Sequence, residues 1–366
     1  MISYCFRSGR LFVAVCIGLA ICAASQAQGS TAPDDVAAWG LHCFCLGARA
    51  TPHAIIKLDN NGRILYAARK GATIADLGRA GIAATQSQLR LLIEYGLLEQ
   101  EGAAYTTSFP LVGPAETAAL RSKLVPAAKD LARRITPHAR SISQSLHEQG
   151  LDASVYAIVF GLALDGLLWE VLNADHALPS TDVDIDHPHW QGAFWAVYPE
   201  RSGAPGTNQV TEGSVALTLT WTDTVATRLH ALETSKGLPR ALRSIASGEV
   251  PSAPVSGTDG KAWRLAESGK LVIPVVHRRA GDPLYDPSLA LARIVARALQ
   301  EDVAIRAAAA SLDKASRSEG TLILAHEFIW DLIDELVREG TVPRPRALDE
   351  ASGNTDDLRA LLFVIR

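Results

Sequence analysis

The sequence predicts an α+β protein, mostly helical, and three observations carry that prediction. Long stretches repeat apolar residues at helical spacing. Two runs, residues 192–200 and 214–221, are rich in the β-branched and aromatic residues that strands favour. Gly, Pro and Ser punctuate the chain, most densely over residues 248–260. The 366 residues are 48% apolar, 20% charged and 6% aromatic. That balance excludes a disordered chain, a collagen-like chain and a short disulfide-stapled scaffold. At about 100–200 residues per domain, the length suits two domains.

The first element is a leader. Arg7 and Arg10 are the only charges before Asp34, and the apolar run Leu11 to Ala24 follows them. Ser25-Gln26-Ala27 then sets small residues where a signal peptidase needs them. Residues 1–27 thus read as a secretory signal peptide, with an apolar core too short to span a bilayer comfortably. A lipoprotein signal fits less well, since Ile21 precedes Cys22 where a small residue is required. Removal of the leader moves the formal net charge from −4 to −6, because two basic residues and no acids leave. The expected product is periplasmic or secreted from a bacterium, mildly acidic, and without a later membrane span. Of five cysteines, Cys5, Cys16 and Cys22 leave with the leader, and the only methionine is Met1. Methionine-based copper chemistry is thereby excluded.

Residues 34–112 read as one module. His53–Leu58 and Ile64–Ala68 flank Asn61-Gly62, a strong hairpin signal, so residues 53–68 are expected to pair as strands. Thr73 and Asp76 suit the start of a short helix that Gly81 ends. Thr85 and Gln88 form a capping box for a second helix. That helix aligns Leu89, Leu92 and Ile93 on one stripe before Gly96 closes it. Strands follow on either side of Gly102. The segment TIADLGRAGIAATQSQLRLLIEYGLLEQEGAAYTTSFPLV, residues 73–112, resembles the winged-helix fold. The resemblance implies a scaffold, and in many members a DNA reader. Between residues 71 and 112, however, Arg79 and Arg90 face Asp76, Glu94, Glu99 and Glu101, a net charge of −2. DNA readers carry a basic footprint, so nucleic acid is not the expected partner.

Residues 113–247 read as a helical bundle carrying the strands 192–200 and 214–221. Pro126 and Pro137 are expected to break the helical pattern of 114–149. Residues 152–173 are apolar nearly all round and predict a central core helix. Helix is expected over 224–247, a loop or linker at 248–260, and a C-terminal region over 261–366. In that last region the pattern gives a strand at 270–279, helices near 287–313 and 319–339, and the closing segment LRALLFVIR.

No nucleophile elbow, zincin motif, phosphate-binding loop or dinucleotide fingerprint is present. Four constellations remain. Asp182, Asp184 and Asp186 alternate, then His187 and His189 follow; oxygen and imidazole ligands at that spacing suit a divalent metal. His326 and Glu327 adjoin on a helix and suit acid–base catalysis. On that helix Glu327, Asp331 and Glu335 recur at i, i+4, i+8, the pattern of an amphipathic surface helix with His326 turned toward the core. Asp165 sits in the apolar helix, where an ionised carboxylate needs a partner. A short echo aligns DGLLWEVL (165–172) with HEFIWDLI (326–333), so Asp165, Trp169 and Trp330 are candidate pocket residues, with Asn208 from the expected loop 203–209. Cys43 and Cys45, one residue apart, suit a strained redox pair or a partial metal site. The leading expectation is an extracytoplasmic binding or interaction protein, engaging a protein or small ligand between helices 152–173 and 319–339. The alternative is a metal-assisted hydrolase built on Asp182–His189 with His326 and Glu327. A DNA-binding regulator is third.

Overall fold

The computed structural model describes residues 36–44, 52–180, 194–257, 260–349 and 357–366. The expected leader (residues 1–27), Cys45 and the segment Asp182–His189 lie outside them. The chain divides into two units, one drawn from residues up to Leu111 with Thr181–Tyr198, the other from Val112–Ser180 with Pro199–Arg366.

In the first unit, β1 (Gly40–Phe44) precedes α1 (His53–Lys57) and α2 (Asn61–Ala67). The expected hairpin over 53–68 is therefore helical. The reason lies in burial. Asn61, Ile64, Leu65 and Ala68 are all buried, at i, i+3, i+4 and i+7, which is the face of a helix and not of a strand. Asn61 turns inward, and its Nδ2 donates to the Ile55 carbonyl at 2.8 Å. Gly62 serves close approach, since a Cβ there would meet the Val36 Cβ at 3.2 Å.

A short strand, β2 (Ala72–Thr73), leads into α3 (Ile74–Arg79), and α4 (Gln86–Glu94) follows. Both helices begin in reciprocal capping boxes, Thr73 with Asp76 and Thr85 with Gln88. β3 (Leu98–Glu101) and β4 (Ala104–Thr107) close the run, in a sheet ordered β2-β4-β3. Leu77, Leu89, Leu92, Leu97 and Phe109 fill the core beneath. β5 (Phe194–Tyr198) also belongs here: it pairs antiparallel with β1, with Cys43 opposite Trp195. The sequence had grouped it with the residues that follow.

The second unit opens with α5 (Pro114–Gln149), one unbroken helix of 36 residues. Pro126 and Pro137 do not break it. Both are exposed, so each carbonyl left without a proline N–H faces water, and the buried stripe from Leu120 to Leu146 continues past them. A wide turn follows. Ala157–Leu167 is π-helical and runs directly into α6 (Leu168–Ala174). The rod Asp152–Ala174 is apolar and long enough to cross a membrane, yet 83% of its most apolar window is buried inside the protein. Gly161 lets it close on the sheet, because a Cβ there would sit 2.8 Å from Thr220 Oγ1.

That sheet holds β6 (Gly206–Glu212) and β7 (Val215–Trp221). Residues 224–247 form α7 (Ala226–Glu233) and α8 (Leu238–Ala246). Two short hairpins come next, β8 (Val255–Ser256) with β9 (Ala262–Trp263), and β10 (Ala266–Glu267) with β11 (Lys270–Leu271). The expected strand 270–279 is thus split, and only β12 (Val275–His277) joins the main sheet. α9 (Tyr285–Glu301) and α10 (Val303–Ala310) replace the single expected helix. Asp302 separates them by capping α10, its Oδ1 accepting from Ala304 N at 2.8 Å and Ile305 N at 3.1 Å. α11 (Arg317–Arg338) is buried on nearly every side, so it is a core helix and not the surface helix its charges suggested. β13 (Leu361–Ile365) completes the sheet in the order β12-β13-β7-β6, parallel to β12 and antiparallel to β7. Residues 113–180 and 199–247 therefore belong to one unit with residues 261–366.

Candidate functional site

The second unit gathers four of the singled-out residues, Asp165, Trp169, His326 and Trp330, around one buried polar cluster. Asp165 lies in the π-helical turn. Its Oδ1 accepts the Trp169 indole N–H at 2.9 Å, and its Oδ2 accepts the Thr207 hydroxyl at 2.7 Å. Burial pushes the carboxyl up to about 6, against the opposing pull of those two hydrogen bonds. The Trp169 ring lies 4.6 Å from that of His326, and His326 is 6.4 Å from Trp330. The Trp330 indole donates to the Pro205 carbonyl at 2.9 Å. His326 Nδ1 donates to the Leu322 carbonyl at 3.1 Å, which leaves Nε2 as the acceptor of a neutral ring. Desolvation holds that imidazole down to about 4.

Asn208 does not join them. It lies in β6, not in a loop, on the face opposite Thr207, and its Oδ1 accepts the Trp221 indole at 3.3 Å. Glu327 is fully buried and held in a fork by Arg121, with Nε 2.6 Å from Oε2 and an Nη 3.0 Å from Oε1. Arg121 also donates to the Pro199 carbonyl at 3.0 Å. One turn on, Arg201 pairs with Asp331 at 2.6 Å and stands 3.5 Å from Asp334. Burial still raises the Asp331 and Asp334 carboxyls, outweighing the arginine. The acidic stripe of α11 is therefore neutralised internally. The pairing of Glu327 with His326 as acid and base has no geometric support: each is committed to another partner.

No protein family, no characterised protein and no solved structure matches this chain. Its chemistry is read from its own geometry.

Among the described residues no three His, Cys, Asp or Glu side chains converge as metal ligands would. Asp182, Asp184, Asp186, His187 and His189 lie outside those residues, as does Cys45. Space for a ligand opens elsewhere. Where α6 ends and α11 begins, a cleft of about 1100 Å³ runs between α9, α10 and these two helix ends. His176, Leu299, Val303, Arg306, Ala307 and Arg317 are among the residues lining it. Sequence reading found the helix pair but neither the arginines of the cleft nor those that neutralise α11. Arg306 carries no local signal in an alanine-rich helix, and Arg121 meets Glu327 across 206 residues of sequence.

Proposed function

We propose that this is an extracytoplasmic binding protein, with a winged-helix-like module as scaffold and a ligand cleft on the second unit. The observation that carries the reading is the cleft at the α6–α11 end. Ligand sites are concave, roughly 300–1,000 Å³, and mix apolar walls with a few polar groups; this cleft, at about 1100 Å³, has that size and that mix.

The scaffold reading rests on the order α2, β2, α3, α4, β3, β4 and on the three-stranded sheet it builds. The exposed surface of β3 presents Glu99 and Glu101, which suits a protein neighbour and repels a phosphate backbone. Export rests on the leader, residues 1–27.

The test is ligand-observed saturation-transfer NMR on the purified protein, with a mixed set of small carboxylates, phosphates, amines, sugars and aromatic compounds. Ala307 is exposed, so Ala307→Trp fills the cleft without entering the core. The expected result is at least one compound whose signal is lost in Ala307→Trp. If no compound distinguishes the two proteins, the cleft is not a ligand site.

A further inference from the structure

The cleft mixes apolar and cationic lining. The apolar part is slim: Val303, 80% exposed, stands on α10 with Ala307 and Ala310, and Leu299 joins them from α9. Alanines wall it with little bulk, and no Phe, Tyr or Trp is among its lining residues. The polar part is Arg306, which shares that face of α10 with Val303 and Ala310, together with Arg317 and the hydroxyls of Ser318 and Thr321. Arg121, Arg201, Arg228, Arg278, Arg338 and Arg344 all have carboxylate partners. Arg306 and Arg317, like Arg90, Arg293 and Arg297, have none among the described residues, though the chain as a whole is acidic. The single acid in the cleft, Asp175, already accepts from Gln300 Nε2 at 3.0 Å.

We propose that the cleft takes an aliphatic carboxylate, its head on Arg306 and Arg317 and its unbranched chain along Val303, Ala307 and Ala310. The proposal rests on the ligand-binding reading above. Guanidinium is a planar fork that matches a carboxylate, and a cation lacking an internal partner keeps its donors for a ligand. A flat, alanine-walled apolar strip accommodates a methylene chain. The strip supplies affinity by removing apolar surface from water, and the arginines supply the choice of head group.

Isothermal titration of the purified protein with sodium octanoate, acetate and octan-1-ol tests this. Octanoate is expected to bind, with acetate and octan-1-ol each weaker by at least about tenfold, since one charge-assisted pair or a few buried methylenes are each worth that much. Arg306→Gln and Arg317→Gln, both at exposed positions, are expected to weaken octanoate by about tenfold each while leaving octan-1-ol and the melting temperature unchanged. Ala307→Trp is expected to abolish octanoate binding. Equal binding of octanoate and octan-1-ol overturns the anionic head, and equal binding of octanoate and acetate overturns the aliphatic tail. Octanoate binding that survives Ala307→Trp or both arginine variants overturns the location. If octanoate fails while the NMR set yields cleft ligands, this inference falls and the binding reading stands; if both fail, both fall.

Discussion

Arg121 and Glu327 form a two-pronged ion pair in which the Glu327 side chain is wholly buried and the Arg121 side chain keeps about a quarter of its surface, 24%, in contact with solvent. The pair joins α5 to α11, the two longest helices described. Removing the guanidinium strands a buried carboxylate, whereas removing both charges strands nothing. Arg121→Met is expected to cost about 3–5 kcal/mol, and Arg121→Met with Glu327→Leu substantially less. Urea unfolding of the single and double variants measures the difference. A single variant as stable as the parent would mean that the ion pair does not hold the two helices together.

Asp165 carries a pH signature. Its folded carboxyl lies near 6 against an ordinary 3.8, raised by burial. Between those values the folded protein holds a proton that the unfolded chain has lost. Asp165 therefore withdraws stability as pH rises from 3.8 to about 6, by about 3 kcal/mol, and the loss is complete above 6. Asn at this position keeps an acceptor for Trp169 and offers Thr207 a donor in its place. Asp165→Asn is expected to gain stability over the parent as pH rises through that window, read from unfolding curves at pH 4 and pH 7. A gap that stays constant with pH would contradict a raised carboxyl.

His326 works in the opposite direction. Desolvation lowers its folded value from 6.5 to about 4, so between them the unfolded chain takes a proton the folded one refuses. Stability is lost as pH falls from 6.5 to about 4, again by about 3 kcal/mol. His326→Gln is expected to remove that loss, so the variant gains on the parent as the solution is acidified. In the parent the two slopes oppose each other across the same window. Only the paired variants, followed by NMR titration or unfolding, separate them.

Gly161 marks where the π-helical turn touches β7. A methyl added there would lie 2.8 Å from the Thr220 hydroxyl oxygen. Gly161→Ala is expected to destabilise by about 1–3 kcal/mol, and Thr220→Ala added to it to recover most of that. Thermal melts of the three variants decide it; additivity would mean that the contact is not the cause.

The local signals in the sequence translated well. Both capping boxes of α3 and α4 are written within four residues each, and the structure forms both. Where the outcome depended on a distant partner, the sequence was silent or misleading. Asn61-Gly62 has the letters of a tight turn, but Asn61 spends its amide on the Ile55 carbonyl and lies inside a helix. The charges of α11 looked like a solvated face because Arg121 and Arg201, which cover them, come from α5 and from the segment between β5 and β6. The weak echo of Asp165–Leu172 in His326–Ile333 picked out side chains that do meet, with Trp169 lying against His326. Thr207, which completes the hydrogen bonds of Asp165, is positioned by strand pairing with Thr220, and local spacing could not supply that.

The order of the main sheet bears on how the chain reaches its fold. β13 is an interior strand, held between β12 and β7, yet it is delivered some 140 residues after β7 in the chain. Until residues 361–365 arrive, one edge of β7 has no neighbour, and the apolar rod packed on that sheet has an incomplete floor. Pairings this distant in sequence form slowly, because the intervening loop must first be closed. The second unit therefore cannot close its main sheet until residues 361–365 have been made, while the first unit draws on none of them.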